Sequence, residues 1–355
     1  MPVAAPETYV LSRVQVRNWK AKRWAVPATL FLCIGIVPPT EVRDPLRDSP
    51  EIIFTPSGLN HPILKMLASD SPESDFQLFT SLRYDPRLQE CAANTAIGPG
   101  PSPFYMLSLH RDRMLEAAHQ FGFSEAEARL SGPTGLENLL ATLKASVDTT
   151  SITCRRVKAL VDKHGEITVE SSEIPNRPLR NLFPTKLPPP GQYVPERISP
   201  LTGGALFLGP EDSMAQQGPG YGEASRNEDW IVMIDTVDTP PSAFTSYKTT
   251  SRNMYDDARA RVGIKSMAEP KEVLITSTKD GEIMEGSLTT VLFWRGGRWV
   301  TPPVSSGGQV GTTRRWALAH GLCEEEVVRR ADLVDGEECW ISNGVRGFIA
   351  GVVKL

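Results

Sequence analysis

Apolar residues along the chain follow two periods. Between 105 and 123, YMLSLHRDRMLEAAHQFGF sets Leu109, Met114, Leu115, Ala118 and Phe121 at near-helical spacing and stops at Gly122, which predicts an amphipathic helix. TGLENLLATLKASV, residues 134 to 147, predicts a second helix, with Leu136, Leu139, Leu140 and Leu143 as its core face and Thr134 with Glu137 as a capping box. Elsewhere the period is two. SDFQLFTSLRYDP (74 to 86) reads as a strand ending in a turn at Asp85-Pro86, and RRVKALVDKHGEITVESSEI (155 to 174) as a hairpin around Lys163-His164-Gly165. After residue 229 the elements come densely. Strands are expected at 230–236, 272–278, 288–294, 338–343 and 347–353, and helices at 251–263 and 313–321. The strands at 272–278 and 288–294 are expected to be joined through the turn Asp280-Gly281.

Between these halves the pattern breaks. Residues 175 to 200 carry eight prolines, whose fixed φ angles and missing donors forbid a helix or a central strand. Residues 209 to 229 read as a loop-like insertion whose glycines lack the G-K-[ST] of a phosphate loop. A chain of 355 residues is too long for one ordinary core. The expected organisation is an N-terminal extension over 1–72, a small α/β domain over 73–180, a Pro/Gly-rich linker and insertion over 181–228, and a larger domain over 229–355.

Composition narrows the function. With 40% hydrophobic and 23% charged residues and a formal net charge of −4, the chain reads as a globular protein with no reason to seek a nucleic-acid partner. Cys33, Cys91, Cys154, Cys323 and Cys339 are odd in number and form no C-x-x-C pair, which argues against a disulfide framework and a structural zinc site and for a reducing compartment. The apolar run at 24–37 follows five basic residues but is too short to span a bilayer. No membrane or metal role is expected. The basic N-terminus reads most simply as an extension, with organelle targeting and an erroneous gene model as alternatives.

Three stretches carry candidate chemistry. In EIMEGSLTTVLFW (282 to 294) the carboxylate of Glu285 stands at the lip of an apolar strand, where burying it without a partner costs several kcal/mol. Lys248, in FTSYKTTSR, sits between an extended stretch and a helix, a place equally suited to an exposed helix-start residue. QVGTTRRW (309 to 316) puts Gly311 before Thr312 and Thr313 at a helix start. Free N–H groups and hydroxyls there would make an anion site, or simply a threonine N-cap.

Taken in order, KTTSR, EGSLTTVLFW, TPP, GTTRR and ISNGV resemble the fold-type IV pyridoxal-phosphate enzymes, the class IV aminotransferase family. LHRDRM (109 to 114) is similar to that family's H-x-x-R-L helix, and the resemblance covers roughly residues 75 to 355. It implies an α+β, two-domain fold like that of D-amino-acid aminotransferase, its larger domain built on a mixed, barrel-like sheet. It also implies pyridoxal 5'-phosphate as cofactor. Lys248 then matches the lysine that carries the cofactor, which must be deprotonated to attack an aldehyde. Glu285 matches the partner of the ring nitrogen, which would answer what a carboxylate does there. Arg113, Thr312, Thr313 and Asn343 match phosphate contacts. Arg113 alone would be an ordinary helix arginine and Asn343 a turn-former.

Within the family, Asn253 stands where branched-chain aminotransferases carry a tyrosine, five residues after the lysine, and Asn343-Gly344 replaces their usual Thr-Ala pair. Lys248-x-x-x-Arg252 and FTSLRYDP look more like the 4-amino-4-deoxychorismate lyases, those of fungi above all. The resemblance therefore implies a lyase that releases pyruvate from aminodeoxychorismate and leaves 4-aminobenzoate for folate. Lys248 would move the substrate proton and Thr80 would assist. Two substrate carboxylates call for guanidinium partners: Arg83 first, then Arg252 and Arg346. A branched-chain or D-amino-acid aminotransferase and a catalytically silent relative remain alternatives. A cytoplasmic homodimer is expected by analogy, with mitochondrial targeting as the minor alternative.

Overall fold

The computed structural model describes residues 76–192, 222–224 and 229–355. The expected N-terminal extension, most of the 193–228 stretch and the first two residues of the 74–86 strand lie outside the described residues. All described residues fall in one compact unit.

In chain order the first part comprises β1 (Leu78–Tyr84), α1 (Ala92–Ile97), α2 (Leu107–Gln120), α3 (Ser124–Leu130), α4 (Gly132–Ser146), β2 (Arg155–Val161), β3 (Ile167–Glu173) and the single-turn α5 (Leu179–Leu182). The last of these corrects the expectation of no helix within 175–200, because its four residues fit between Pro178 and Pro184. The second part comprises β4 (Trp230–Ile234), α6 (Ala243–Ser246), α7 (Asn253–Arg261), β5 (Lys271–Thr276), β6 (Ile283–Gly286), β7 (Thr290–Arg295), β8 (Arg298–Thr301), α8 (Thr312–Ala319), β9 (Glu324–Glu325), β10 (Glu338–Asn343) and β11 (Gly347–Lys354).

β1, β2 and β3 form an antiparallel sheet in that order, the predicted hairpin supplying its last two strands. Leu82, Tyr84, Val157 and Ala159 on that sheet pack with Leu139 and Leu143 of α4. α4 begins two residues before the expected start, and no side-chain cap forms, so the Thr134–Glu137 capping box is corrected. Ser131 holds the N-cap position with Pro133 in the first turn, which leaves Thr134 already inside the helix.

The second sheet has eight strands in the order β6-β5-β4-β11-β10-β7-β8-β9, parallel where β4 meets β5 and β11 and where β8 meets β9, antiparallel elsewhere. This is the mixed sheet of an α+β fold. Its central strands are apolar on both faces because each face has its own core. Leu292, Trp340 and Phe348 pack with Trp316 of α8, while Val291, Phe293, Cys339, Ile341 and Ile349 pack on the other side with Val232 and Leu274. The expected 272–278 to 288–294 hairpin is also corrected. The turn at Asp280-Gly281 returns the chain into β6, which pairs with β5, and β7 starts only after a further turn. Glu285 therefore lies inside a strand of its own rather than at the lip of β7.

No helix among the described residues is long and apolar enough to cross a membrane.

Candidate active site

A cavity of about 440 Å³ lies where the two sheets meet, lined from both parts of the chain. Eight of the ten residues singled out from sequence reach it: Lys248, Glu285, Arg113, Thr312, Thr313, Asn343, Arg252 and Arg346. Thr80 and Arg83 do not.

Lys248 follows α6 on an extended segment whose backbone pairs with the start of β1, Phe79 N–H donating to Lys248 O at 3.0 Å and Thr250 N–H to Gln77 O at 2.8 Å. This pairing is what carries the lysine to the seam between the sheets. Its amine stands 5.1 Å from the centre of the Phe79 ring. Burial, reinforced by the Arg113 and Arg252 guanidinium groups, brings the amine down from 10.5 to about 7. A neutral amine at physiological pH can act as a nucleophile or a base.

Glu285 comes from β6 opposite Ile275 of β5. Burial pushes its carboxyl up from 4.5 to about 7, against the lowering influence of the Tyr255 hydroxyl and Lys248. Tyr255 of α7 donates to Glu285 Oε1 at 2.5 Å. The partner sought from the sequence is thus, within the protein, a tyrosine that sequence reading passed over. Its signal was present: Tyr255 and Ala258 recur at helical spacing on the buried face of α7.

At another side of the cavity Arg113 of α2 is 7% exposed. Its Nη2 donates to Thr80 Oγ1 at 2.6 Å, and its Nε is buried without a partner. Burial and the neighbouring Arg315 lower its pKa to about 10. Thr312 and Thr313 open α8 behind Gly311, an N-cap with no side chain to satisfy the first-turn N–H groups. Thr313 Oγ1 lies 3.0 Å from Ser342 Oγ. A buried guanidinium with an orphaned donor beside an uncapped helix start is a place that fits a phosphate ester. The donor set therefore suits the phosphate of a pyridoxal cofactor, with Lys248 and Glu285 across the same cavity.

Three expectations change. Thr80, on the face of β1 opposite Phe79 and Ser81, touches Arg113 and His110 Nδ1 at 2.6 Å each and does not line the cavity. Its place is to hold Arg113. Arg83, 1% exposed, pairs through Nε with Asp85 Oδ2 at 2.9 Å and donates to the Pro175 and Val345 carbonyls at 3.1 and 3.5 Å. A guanidinium so occupied is a structural tie. Asn343 does face the cavity, but its Oδ1 accepts from Val345 and Arg346 N–H at 3.0 and 2.9 Å and its Nδ2 donates to Leu288 O at 3.3 Å. The side chain is committed to the β10–β11 turn, and Ser342 and Thr313 are the hydroxyls left on that wall.

Gly344 has a packing reason. A Cβ there would come within 2.4 Å of the His110 ring and 3.1 Å of Ser81 O. Burial, with Arg113 and Lys248 nearby, keeps that imidazole well below its ordinary pKa and hence neutral. Asn253, where aminotransferases carry a tyrosine, is exposed and outside the cavity.

The mouth is cationic. Six basic side chains line the cavity, Arg113, Arg156, Lys158, Lys248, Arg252 and Arg346, against two carboxylates, Asp256 and Glu285. Lys158 is engaged by Glu170 at 3.2 Å, Arg252 by Asp256 at 3.0 Å, and Arg346 by the Met267 carbonyl at 2.7 Å. The side chain of Arg156, which sequence reading did not select, makes neither hydrogen bond nor ion pair among the described residues, although the Glu170 carboxylate favours its charge. Its alternation with Lys158 on one face of β2 was the available signal.

Residues 216–352 match the amino-transferase class IV family. Among curated proteins, the aminodeoxychorismate lyase of Saccharomyces cerevisiae is 32% identical over 215 residues, 57% of this chain and 52% of that protein. A Schizosaccharomyces pombe protein provisionally described as aminodeoxychorismate lyase is 28% identical over 111 residues, 30% of this chain and 47% of its own length. The chain thus spans about half the length of these curated relatives. Among solved structures, a protein of Mesorhizobium loti provisionally described as an amino-acid aminotransferase superposes with a TM-score of 0.51 at 19% identity, over 79% of this chain and all of the other. The fold is that of the fold-type IV enzymes.

Proposed function

We infer that this chain, which carries a class IV aminotransferase domain in residues 216–352, is a pyridoxal-phosphate-dependent lyase acting on aminodeoxychorismate to give pyruvate and 4-aminobenzoate. The observation that carries the reading is the cationic mouth over Lys248, in which the Arg156 side chain makes no ion pair among the described residues. A small substrate bearing two carboxylates fits such a wall, whereas the aliphatic side chain of a branched-chain amino acid would displace water from these cations without pairing them. The likeness to the yeast lyase supports the same assignment.

When bound, pyridoxal phosphate supplies an aldehyde for the substrate amine and a ring that takes up the electron pair released at the substrate carbon. Lys248, whose burial brings its amine down to about 7, would take the proton from that carbon. Arg113, Thr313 and the N–H groups opening α8 would hold the phosphate, and Glu285 would partner the ring nitrogen. Arg156, aided by Arg252 and Arg346, orients the substrate carboxylates. Thr80 acts one step back by fixing Arg113. The protein is further read as a cytoplasmic homodimer, which sedimentation and fractionation would test.

The deciding experiment is a coupled assay for pyruvate and 4-aminobenzoate with aminodeoxychorismate as substrate. Stoichiometric release of both is expected. Formation of glutamate from branched-chain or D-amino acids with 2-oxoglutarate, with no pyruvate from aminodeoxychorismate, would overturn the lyase reading in favour of an aminotransferase.

A further inference from the structure

We propose that Tyr255 is a positioning residue that keeps Glu285 ionised and aimed at the cavity, through a hydrogen bond that switches partner with the charge of the carboxylate. Tyr255 is 2% exposed, and its ring packs with Ile264, Val273, Ile275 and Met284. The hydroxyl has three polar neighbours: Glu285 Oε1 at 2.5 Å, the Thr245 carbonyl at 3.2 Å and the Gln309 amide nitrogen at 3.3 Å.

A phenol has one proton to give and lone pairs to receive. Gln309 Nε2 can only donate to it, so Thr245 O and Glu285 compete for the phenolic proton. An ionised carboxylate is the stronger acceptor, so with Glu285 charged the proton points to Oε1 and Gln309 supports the oxygen from behind. With Glu285 protonated, the acid O–H becomes the donor, and Tyr255 turns its own proton to Thr245 O. Each of these donors has an acceptor in both states, and the Thr245 carbonyl receives the phenolic proton only when Glu285 is protonated. The tyrosine can therefore follow the carboxylate's charge without leaving a buried donor unmatched.

The other charged groups facing Glu285 do not replace this contact. Lys248 and Arg113 approach across the cavity and favour the anion, whereas Glu272 of β5 disfavours it. Neither Lys248 nor Arg113 makes an ion pair with Glu285, and burial opposes the charge. Tyr255 is the side-chain donor that touches the carboxylate, and the Gln309 backbone N–H is a second, fixed donor that the hydroxyl adds to. The proposal rests on the reading of Glu285 as the partner of a cofactor ring nitrogen, since only an ionised carboxylate stabilises a protonated ring there.

Tyr255→Phe retains the buried ring and removes only the hydroxyl. In cofactor-free protein, the Glu285 carboxyl band is identified in the infrared difference spectrum by its loss in Glu285→Gln. Its titration midpoint should rise by ~1 pH unit or more in Y255F. An unchanged midpoint overturns the proposal. The second arm measures pyridoxal phosphate dissociation constants in a double-mutant cycle. Y255F should weaken binding about tenfold in the wild-type background and less than about twofold in the E285Q background, because the hydroxyl acts through Glu285. An equal loss in both backgrounds assigns Tyr255 a merely structural role and overturns the proposal. Failure of wild-type protein to bind pyridoxal phosphate would refute the function proposed above, while the infrared titration would still decide the Tyr255–Glu285 relationship.

Discussion

Arg83 and Arg156 are register partners across β1 and β2, so their side chains leave the sheet on the same face, yet they have opposite fates. Arg83 is tied to Asp85 and two carbonyls with 1% of its surface exposed. Arg156 is left to the cavity. Two like charges directly opposite would repel, and the Asp85 carboxylate removes the conflict by neutralising one of them. The arginine available for a substrate carboxylate is thus one strand over from the one the sequence suggested.

Arg156→Gln should raise KM for aminodeoxychorismate by roughly 10- to 100-fold, matching about 1.4 to 2.8 kcal/mol of lost charge-assisted contact. The cofactor absorbance should not change, because Arg156 is not among the phosphate contacts. Steady-state kinetics beside an absorbance spectrum checks both. A KM within about twofold of wild type would show that the cavity's other cations hold the substrate.

Arg83→Gln should act on stability instead. Breaking a buried pair costs ~3–5 kcal/mol when the partner charge is stranded. The loss here should be smaller, because Arg87 still donates to Asp85 at 2.7 Å. KM of the remaining folded enzyme should hold within about threefold. Burial works to raise the Asp85 carboxyl, but Arg87 and then Arg83 prevail and hold it down at about 2, against 3.8 ordinarily. A depressed carboxyl stabilises the fold above the ordinary value and loses that contribution as pH falls from about 4 through 2. Urea unfolding at pH 7 and pH 3 should therefore give a smaller difference between R83Q and wild type at the lower pH.

Thr80→Val removes the acceptor of the hydrogen bond that Arg113 makes through Nη2 while keeping the shape of the side chain. Pyridoxal phosphate affinity should fall about tenfold, roughly the worth of one charged hydrogen bond, and Thr80→Ser should restore most of it. Turnover at saturating cofactor should stay within a few-fold. Spectroscopic titration with the cofactor, followed by kinetics at saturation, separates the two. A collapse of saturated turnover with affinity intact would return Thr80 to the chemistry implied by family resemblance.

Glu285→Gln should stabilise the cofactor-free protein, and only at high pH. A carboxyl raised from 4.5 to about 7 in the folded state favours folding least when ionised. Wild-type stability on this account falls as pH climbs from 4.5 through 7 and stays reduced above. Glutamine carries no charge to bury. The variant should gain up to ~3 kcal/mol relative to wild type at pH 8 and less than about 1 kcal/mol at pH 5. Thermal unfolding at the two pH values reads this directly. An equal gain at both would mean that packing, not charge, is responsible.

The order of the elements and most of the cavity's inventory were legible from local residue patterns. β10 and β11 were legible because strands buried on both faces are continuously apolar, and α2 because its apolar positions repeat at helical spacing and Gly122, with φ +67, stops it where few side chains would allow. Lys248, Glu285, Arg113 and Thr312 were legible together because they stand in the order and spacing of the family the sequence resembles. Only the tertiary structure decided which side chains are free to act. Arg83, Thr80 and Asn343 were spent on Asp85, Arg113 and a turn, partners set by register and hairpin geometry that no local pattern encodes. Tyr255 and Arg156 acquired their places because α7, 30 residues from its contact on β6, and β2, far in sequence from both Lys248 and Glu285, close on the same cavity. Local periodicity fixes which face of an element a residue occupies. What that face meets depends on contacts between segments far apart in the chain, and burial and charge then turn the same residue type into a tie, a prop or a ligand.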